Sequence, residues 1–268
     1  MSKILLTGSH GFIGTHLHSI LTDHEVACWD LKIDKDLFSI GKEDLIGVDT
    51  IIHLAARISV PESWETPHEY MIANTLSTIH LAELAVQAGV KKFIFASSSS
   101  VYGDPMSPYG SSKLLSELYL RYKKELDVYA LRFFNVYGTG QNREYSGAIT
   151  LFLDALLNDK PIIVYGDGRQ SRDFVFVEDL ALIIKFFCET DRKFIGPIDI
   201  GKGSSNTVND LIALLFNITG KNVVMKHEPE RQEIKNSLAN NLVLKSFMPD
   251  FEFTTLKEGL NKTYNNKK

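Results

Sequence analysis

A chain of 268 residues with 44% apolar content is long enough for one large α/β domain, or for a large domain carrying a smaller lobe, around a real core. Its formal net charge of -4 lacks the basic excess that a phosphate backbone selects, so nucleic acid is not an expected partner. The two isolated cysteines, Cys28 and Cys188, have no His or Cys neighbours at ligand spacing, which argues against a disulfide framework or a structural zinc site.

The first predicted strand, "KILLT" (3–7), is followed by "GSHGFIG", with Gly8, Gly11 and Gly14 spaced to open a helix. The run before Gly8 is too short for a signal-peptide core and no later stretch approaches membrane-spanning length, so a cytoplasmic protein without a membrane partner is expected. Further β-rich runs follow at "VACWD" (26–30), "TIIHLAA" (50–56), "KFIFAS" (92–97) and "VYALRFF" (128–134), with helical patterns between most of them. Strands separated by helices predict a parallel sheet covered on both faces. The segment from His68 to Val90 carries apolar residues at three and four spacing and stops at Gly89, as a long helix should. Beyond about residue 138 the rhythm is less regular, with glycine turns at "YGDGRQ" and "IGKGSS" and helical patterns near 146–158, 207–217 and 254–262. A smaller second lobe is expected there, ending in a frayed tail "NKTYNNKK".

Glycines between a strand and a helix let backbone N–H groups at the helix N-terminus meet a diphosphate. The spacing alone is a weak signal, because a plain strand-to-helix turn also favours glycine. Its context is stronger: the motif lies at the first strand–helix junction, and Asp30 closes the second predicted strand. A carboxylate there can accept both ribose hydroxyls and repel a 2′-phosphate, favouring NAD over NADP; alternatively Asp30 only ends a strand in water. Asp36 and Leu37 follow at a position suited to the adenine.

"FASSSSVYGDPMSPYGSSK" (95–113) then gathers serines, Tyr109 and Lys113. At i and i+4 on a helix an ammonium can stabilise a phenolate. A free Tyr titrates near 10, and bringing it near 7 takes roughly three units, or about 4 kcal/mol, which Lys113 and a positive nicotinamide ring would supply. The spacing recurs at Tyr119/Lys123 and Tyr264/Lys268, so what singles out Tyr109 is its place just after Pro108, where a helix should start, close to hydroxyls at the end of a strand.

Taken in order, "TGSHGFIG", "IIHLAA", "FASSSSVYG", "SPYGSSK", "LRFFNVYGTGQ" and "GDGRQSRDFVFVEDL" resemble the extended short-chain dehydrogenase/reductase family, the NAD-dependent nucleotide-sugar epimerases and dehydratases. The resemblance is close over residues 3–185 and looser beyond. It implies an α/β, Rossmann-type doubly wound parallel sheet with a smaller C-terminal substrate-binding lobe. The NAD-binding domain would span 1–138, with 174–200 returning to it, and the nucleotide-sugar lobe 139–268. By the same resemblance Tyr109 is the base, Lys113 orients it and holds the nicotinamide ribose, and Ser98 bridges Tyr109 and the sugar. Gly8, Gly11, Phe12, Ile13, Gly14, Asp30, Asp36, Leu37, Leu54, Ala55, Ala56 and Asn74 would line the cofactor, with His53 at a family position nearby.

Asn135 and Arg172 match positions that contact the diphosphate-sugar, a role suited to the guanidinium fork. Arg231 lies in "PERQEIKNSLAN", which resembles a late Arg-containing segment but lacks a Gly and ends in Asn240 where an Asp is usual. Either Arg would otherwise be a surface ion pair. By the same resemblance, aligning Asn240 with that Asp would place the small Ser237 beside the sugar's C2 substituent, leaving room for an N-acetyl group. Ser99 and Ser100 stand where the family's dehydratases and decarboxylases usually carry an acid, so a 4-epimerase of a UDP-hexose or UDP-N-acetylhexosamine is the expected activity. The alternatives are a 4-reductase or dehydratase of the same family, or a non-catalytic NAD-binding regulator. Relatives pair through helices at about 68–88 and 109–125, which implies a homodimer. The interval between Gly103 and Tyr109 is shorter than usual for the family and implies a more open site.

Overall fold

A computed structural model describes residues 1–141, 147–230 and 234–267. In chain order it runs β1 (Lys3–Thr7), α1 (Phe12–Ile20), β2 (Glu25–Trp29), β3 (Thr50–His53), α2 (Val60–Glu65), α3 (Pro67–Tyr70), α4 (Ser77–Ala88), β4 (Lys92–Ser98), α5 (Pro108–Arg121) and β5 (Asp127–Phe133). It continues with β6 (Asn135–Tyr137), α6 (Ala148–Leu157), β7 (Ile162–Tyr165), β8 (Ser171–Arg172), β9 (Phe174–Phe176), α7 (Val177–Glu189) and β10 (Pro197–Ile200). The last elements are β11 (Asn206–Thr207), α8 (Val208–Thr219), β12 (Met225–Glu228), α9 (Leu242–Phe247) and α10 (Leu256–Asn265). Two compact units result: 1–133 with 180–198, and 134–179 with 199–268. The sequence-based division at 138, with a return over 174–200, differs at β6 and β9. These two strands pair with each other, Asn135 opposite Phe174, inside the second unit.

The first unit is built on a six-stranded sheet in the order β10-β5-β4-β3-β1-β2, and the pairs among β1 to β5 are all parallel. Register brings Thr7 opposite both Trp29 and His53, and Ser98 opposite Phe133, so the carboxyl ends of the strands form one edge. Ligands of open parallel sheets bind at such an edge. Leu5, Ile51, Phe93 and Phe95 pack with Leu81, Ala82, Ala85 of α4 and Leu120 of α5 in one buried cluster. Helix α4 stops where Gly89 adopts φ +78°, the left-handed cap that glycine takes without strain. Ser107 caps α5 by accepting the Gly110 N–H, with Pro108 in its first turn.

Two expectations are corrected. The predicted strand 50–56 ends at His53, because Leu54 and Ala55 leave the sheet to pack beneath Gly8. The predicted continuous helix 68–90 instead contains a π-turn, Met71–Leu76, between α3 and α4. The wider turn brings Asn74, Thr75, Ser77 and Thr78 to the buried side together, where Asn74 and Thr75 bond Ser112 of α5.

The second unit carries three two-stranded pairings: β6 with β9 and β7 with β12, both parallel, and β8 with β11, antiparallel. Its core joins Ile149, Leu153 and Leu156 of α6 to Leu211 and Leu215 of α8 and Leu260 of α10. Asp173, fully buried, accepts N–H bonds from Lys202, Gly203 and Ala239 and so ties three segments together. Of the predicted start of the helix 146–158, residue 146 lies outside the described residues.

Candidate active site and cofactor cradle

The turn after β1 admits nothing larger than glycine at two points. A Cβ on Gly14 would stand 2.1 Å from the Gly8 carbonyl oxygen, and one on Gly8, at φ +69°, would meet the Ala55 nitrogen at 2.7 Å. Gly8 donates its N–H to the Trp29 carbonyl (2.8 Å), and Gly11 donates back to Gly8 (3.0 Å). Helix α1 opens at Phe12 and Ile13 with no side-chain cap, so its positive end is presented bare. Asp30, at the end of β2, accepts the His10 N–H (2.8 Å) and the Lys32 N–H (2.9 Å), while Lys32 Nζ reaches the His10 carbonyl (2.7 Å). This ring of contacts fixes the glycine turn against β2, and its members His10 and Lys32 carry no motif that would have revealed it. Asp36 caps a short turn by accepting the Phe38 N–H, its carbonyl takes the Trp29 indole N–H (3.0 Å), and Leu37 packs on the core. A cradle that closes if Gly8 or Gly14 gains a Cβ, beside an uncapped helix start and a carboxylate, suits a dinucleotide diphosphate and its ribose.

At the same sheet edge the turn after β4 (Ser99–Tyr102) meets α5. Ser98 Oγ accepts the Ser100 N–H (3.1 Å), and the Ser98 hydroxyl lies close enough to the Tyr109 phenol to favour its ionised form. Lys113, 3% exposed, makes one hydrogen bond among the described residues, to the Ala96 carbonyl (2.8 Å), and lies 4.9 Å from the centre of the Phe95 ring. Its other N–H donors could serve a bound ligand.

In the chain alone, burial raises the Tyr109 phenol above its ordinary pKa, with Ser98 pulling the other way. Burial also lowers Lys113 to about 7, partly countered by Glu117. The expected lowering of the phenol by Lys113 is therefore not a property of the protein by itself, because desolvation dominates both groups.

The other candidate pairs separate cleanly. Tyr119 and Lys123 are both bound to Glu83 of α4. Lys268 lies outside the described residues, so the third pair is not described. His53 is held between Thr7 Oγ1 (2.7 Å) and Thr78 Oγ1 (3.0 Å), and burial, with Lys113 nearby, lowers its pKa to about 3. It is a neutral core side chain. Asn74 bonds the Arg57 N–H and carbonyl and the Ser112 hydroxyl, and Ser112 in turn donates to the Tyr109 carbonyl (2.7 Å). Leu54 and Ala55 border Gly8, and Ala56 follows them.

In the second unit Asn135 donates twice to the Asp173 carbonyl, at 3.0 and 3.3 Å. Arg172 Nη1 donates to the Ser171 carbonyl (2.9 Å). Ser237 is buried and donates its N–H to that same carbonyl (3.0 Å), so Arg172 and Ser237 share one short frame. Arg231 lies outside the described residues. A cavity of about 450 Å³ in this unit is lined by Tyr165, Arg169, Gln170, Lys235 and Asn236, among others. In the sequence, "YGDGRQ" reads only as a turn.

Residues 4–201 match the model of the NAD dependent epimerase/dehydratase family. The uncharacterized UDP-glucose epimerase YtcB of Bacillus subtilis is 31% identical, over 96% of this chain and 95% of its own length. Among solved structures, the UDP-N-acetylglucosamine 4-epimerase from Methanobrevibacter ruminantium M1, in complex with UDP-N-acetylmuramic acid, superposes with a TM-score of 0.93 at 31% identity, covering 99% of this chain and 98% of that one. MoeE5 in complex with UDP-glucuronic acid and NAD gives the same TM-score at 33% identity, covering 99% of each chain. With the glycine cradle, the Tyr109–Lys113 helix and the six-stranded sheet in place, the chain belongs to the NAD-dependent epimerase/dehydratase family.

Proposed function

We propose that the protein is a nucleotide-sugar 4-epimerase that uses NAD and acts on a UDP-hexose or a UDP-N-acetylhexosamine. The observation that carries this reading is the placing of Ser98 at the end of β4 beside the first turn of α5, which holds Tyr109 and the buried Lys113, with serines rather than acids at positions 99 and 100. NAD, which the Gly8–Gly14 turn and Asp30 would hold, would supply a reversible hydride acceptor for the sugar carbon. Tyr109 takes the proton of the 4-hydroxyl, with Ser98 as its hydrogen-bond partner, and gives it back at the end. Lys113 adds positive charge beside the phenol and holds the ribose of the cofactor. Between the two transfers the 4-keto sugar turns over, so that hydride enters its other face; no proton or electron pair is left over, and inversion at one carbon is the whole result. The UDP-sugars in the two solved relatives support UDP as the nucleotide.

Asn135, Arg172 and Arg231 are the proposed diphosphate contacts, and Ser237 the proposed gate beside C2. Replacing Ser237 with Tyr should lower kcat/KM selectively for the 2-acetamido sugar, and an unchanged ratio between the two sugars removes Ser237 from the pocket.

A homodimer is proposed through the helical segments 68–88 and 109–125, where Ile72 and Leu76 of the π-turn, Leu115 and Leu118 of α5, and Tyr122 just after it are exposed apolar side chains. Both cysteines are free thiols, which suits a reducing cytoplasm.

The deciding experiment incubates the protein and NAD with a panel of nucleotide sugars and follows epimer ratios by NMR. Interconversion without net NADH supports the reading. A dehydrated or net-reduced product overturns it in favour of a dehydratase or reductase.

A further inference from the structure

Lys113 and Glu117 occupy successive turns of α5, and Glu117, 8% exposed, is held from two strands at once. Arg132 of β5 grips it bidentately, Nε to Oε1 at 2.9 Å and Nη2 to Oε2 at 2.7 Å, and Ser97 of β4 donates its hydroxyl to Oε1. The third guanidinium nitrogen, Nη1, donates to the Tyr102 hydroxyl (2.7 Å), and the guanidinium carbon stands 4.8 Å from the centre of that ring. Tyr102 ends the short turn that Ser98 begins. One pair of side chains therefore touches both the helix that carries Tyr109 and Lys113 and the turn that carries Ser98.

We propose that Glu117 and Arg132 are a positioning pair: Glu117 supplies the counter-charge that keeps the buried Lys113 ammonium charged, and Arg132 ties that charge to the turn beginning at Ser98. The assignment rests on reading Ser98, Tyr109 and Lys113 as the reacting set. Burying an ammonium costs it its proton unless an opposite charge is near. Among the described residues the titratable and charged groups around Lys113 are Tyr109 and Glu117 on α5 and His53 on β3, with Arg132 on β5 behind Glu117. His53 is neutral, so Glu117 is the anion in that set. A bare carboxylate would itself pay for burial. The fork–fork contact with Arg132 and the Ser97 hydroxyl offsets this and fixes its position.

The test reads the charge of Lys113 directly, through the Cε resonance of isotope-labelled lysine followed by NMR against pH and assigned by its loss in Lys113→Met. Glu117→Gln should lower the midpoint by about one unit or more, and Arg132→Gln, which frees the charge of Glu117, should raise it. Opposite displacements are what a merely structural pair would not give. Glu117→Asp, which keeps a carboxylate on the helix, should restore most of the midpoint and of kcat. Either glutamine variant that keeps its circular dichroism and shows an unmoved midpoint overturns the proposal.

If neither variant folds, Tyr102→Phe decides, since it removes one hydroxyl from a half-exposed ring. It should lower kcat several-fold at unchanged KM for NAD, and an unchanged kcat overturns the link to the Ser98 turn. The lysine titration needs no sugar, so a wild-type protein without epimerase activity would sink the proposed function while leaving this result standing.

Discussion

Gly110 approaches Ser100 so closely that a Cβ at position 110 would stand 2.4 Å from the Ser100 carbonyl oxygen. The contact seats the first turn of α5, with Tyr109 in it, against the turn that follows Ser98. Gly110→Ala must push the two apart, because the obstacle is backbone and cannot rotate away. The expected outcome is a fold retained by circular dichroism with kcat reduced by about two orders of magnitude, since general-base catalysis fails when the proton path lengthens. Steady-state kinetics on any accepted nucleotide sugar reads this out. Activity within threefold of wild type would mean that the Ser98–Tyr109 contact does not depend on this seat.

Two tyrosines with the same spacing to a lysine should behave oppositely. Tyr109→Phe removes the group bonded to Ser98 and is expected to lower kcat by roughly 10² to 10⁴ while NAD binding survives. Tyr119→Phe removes a hydroxyl that, among the described residues, meets Glu83 of α4 beside Lys123. It should leave kcat nearly unchanged and cost about 1 kcal/mol of stability or less. Equal loss of activity in both would refute the separation.

The features legible in the sequence were those set locally. Strands β1 to β5 stand out as short apolar runs bounded by polar turns, Gly89 marks the end of α4, and Pro108 marks the start of α5. The proposed reacting trio came from the family resemblance, and its members lie close in the sequence, Tyr109 and Lys113 on one helix and Ser98 at the end of the preceding strand. What escaped depends on partners far apart in the chain. Glu117 meets Arg132 across a helix and a strand, and His10 meets Asp30 across β1 and β2, so neither pair has a spacing to recognise. The π-turn at 71–76 arises from packing of Asn74 and Thr75 on α5, and apolar periodicity alone reads as an unbroken helix there.

Asp30 is expected to carry both cofactor choice and part of the turn's rigidity, since its two oxygens already accept the His10 and Lys32 N–H groups. Asp30→Ser should weaken NAD and strengthen NADP relative to it, with Lys32 left to face the added phosphate. Calorimetric titration of both cofactors against wild type and variant measures the ratio. Wild-type protein that binds NADP as tightly as NAD, or a variant whose ratio does not move, would take Asp30 out of the discriminating role. A loss of affinity for both cofactors with the ratio unchanged would leave it only its structural part.

Lys113 sets up a test in which stability and activity move in opposite directions. Its ammonium titrates near 7 in the folded chain because burial outweighs the attraction of Glu117, against an ordinary value of 10.5. Between about pH 7 and 10.5 the unfolded chain therefore binds a proton that the folded chain lacks, and stability rises with pH through that window. Below 7 both states carry the proton and the full penalty of the buried charge is present. Lys113→Met removes the charge and keeps the bulk, at the cost of one hydrogen bond to the Ala96 carbonyl. Without NAD, the variant should then melt above wild type at pH 7, by an amount of order a few kcal/mol, with the gap closing toward pH 10. Turnover should be abolished at pH 7, because the ribose and the phenol lose their cation and its hydrogen-bond donors. Chemical unfolding at pH 7 and pH 10 decides the matter: a variant less stable than wild type at pH 7, or a gap that widens with pH, would mean that Lys113 is better solvated or better paired than its burial implies.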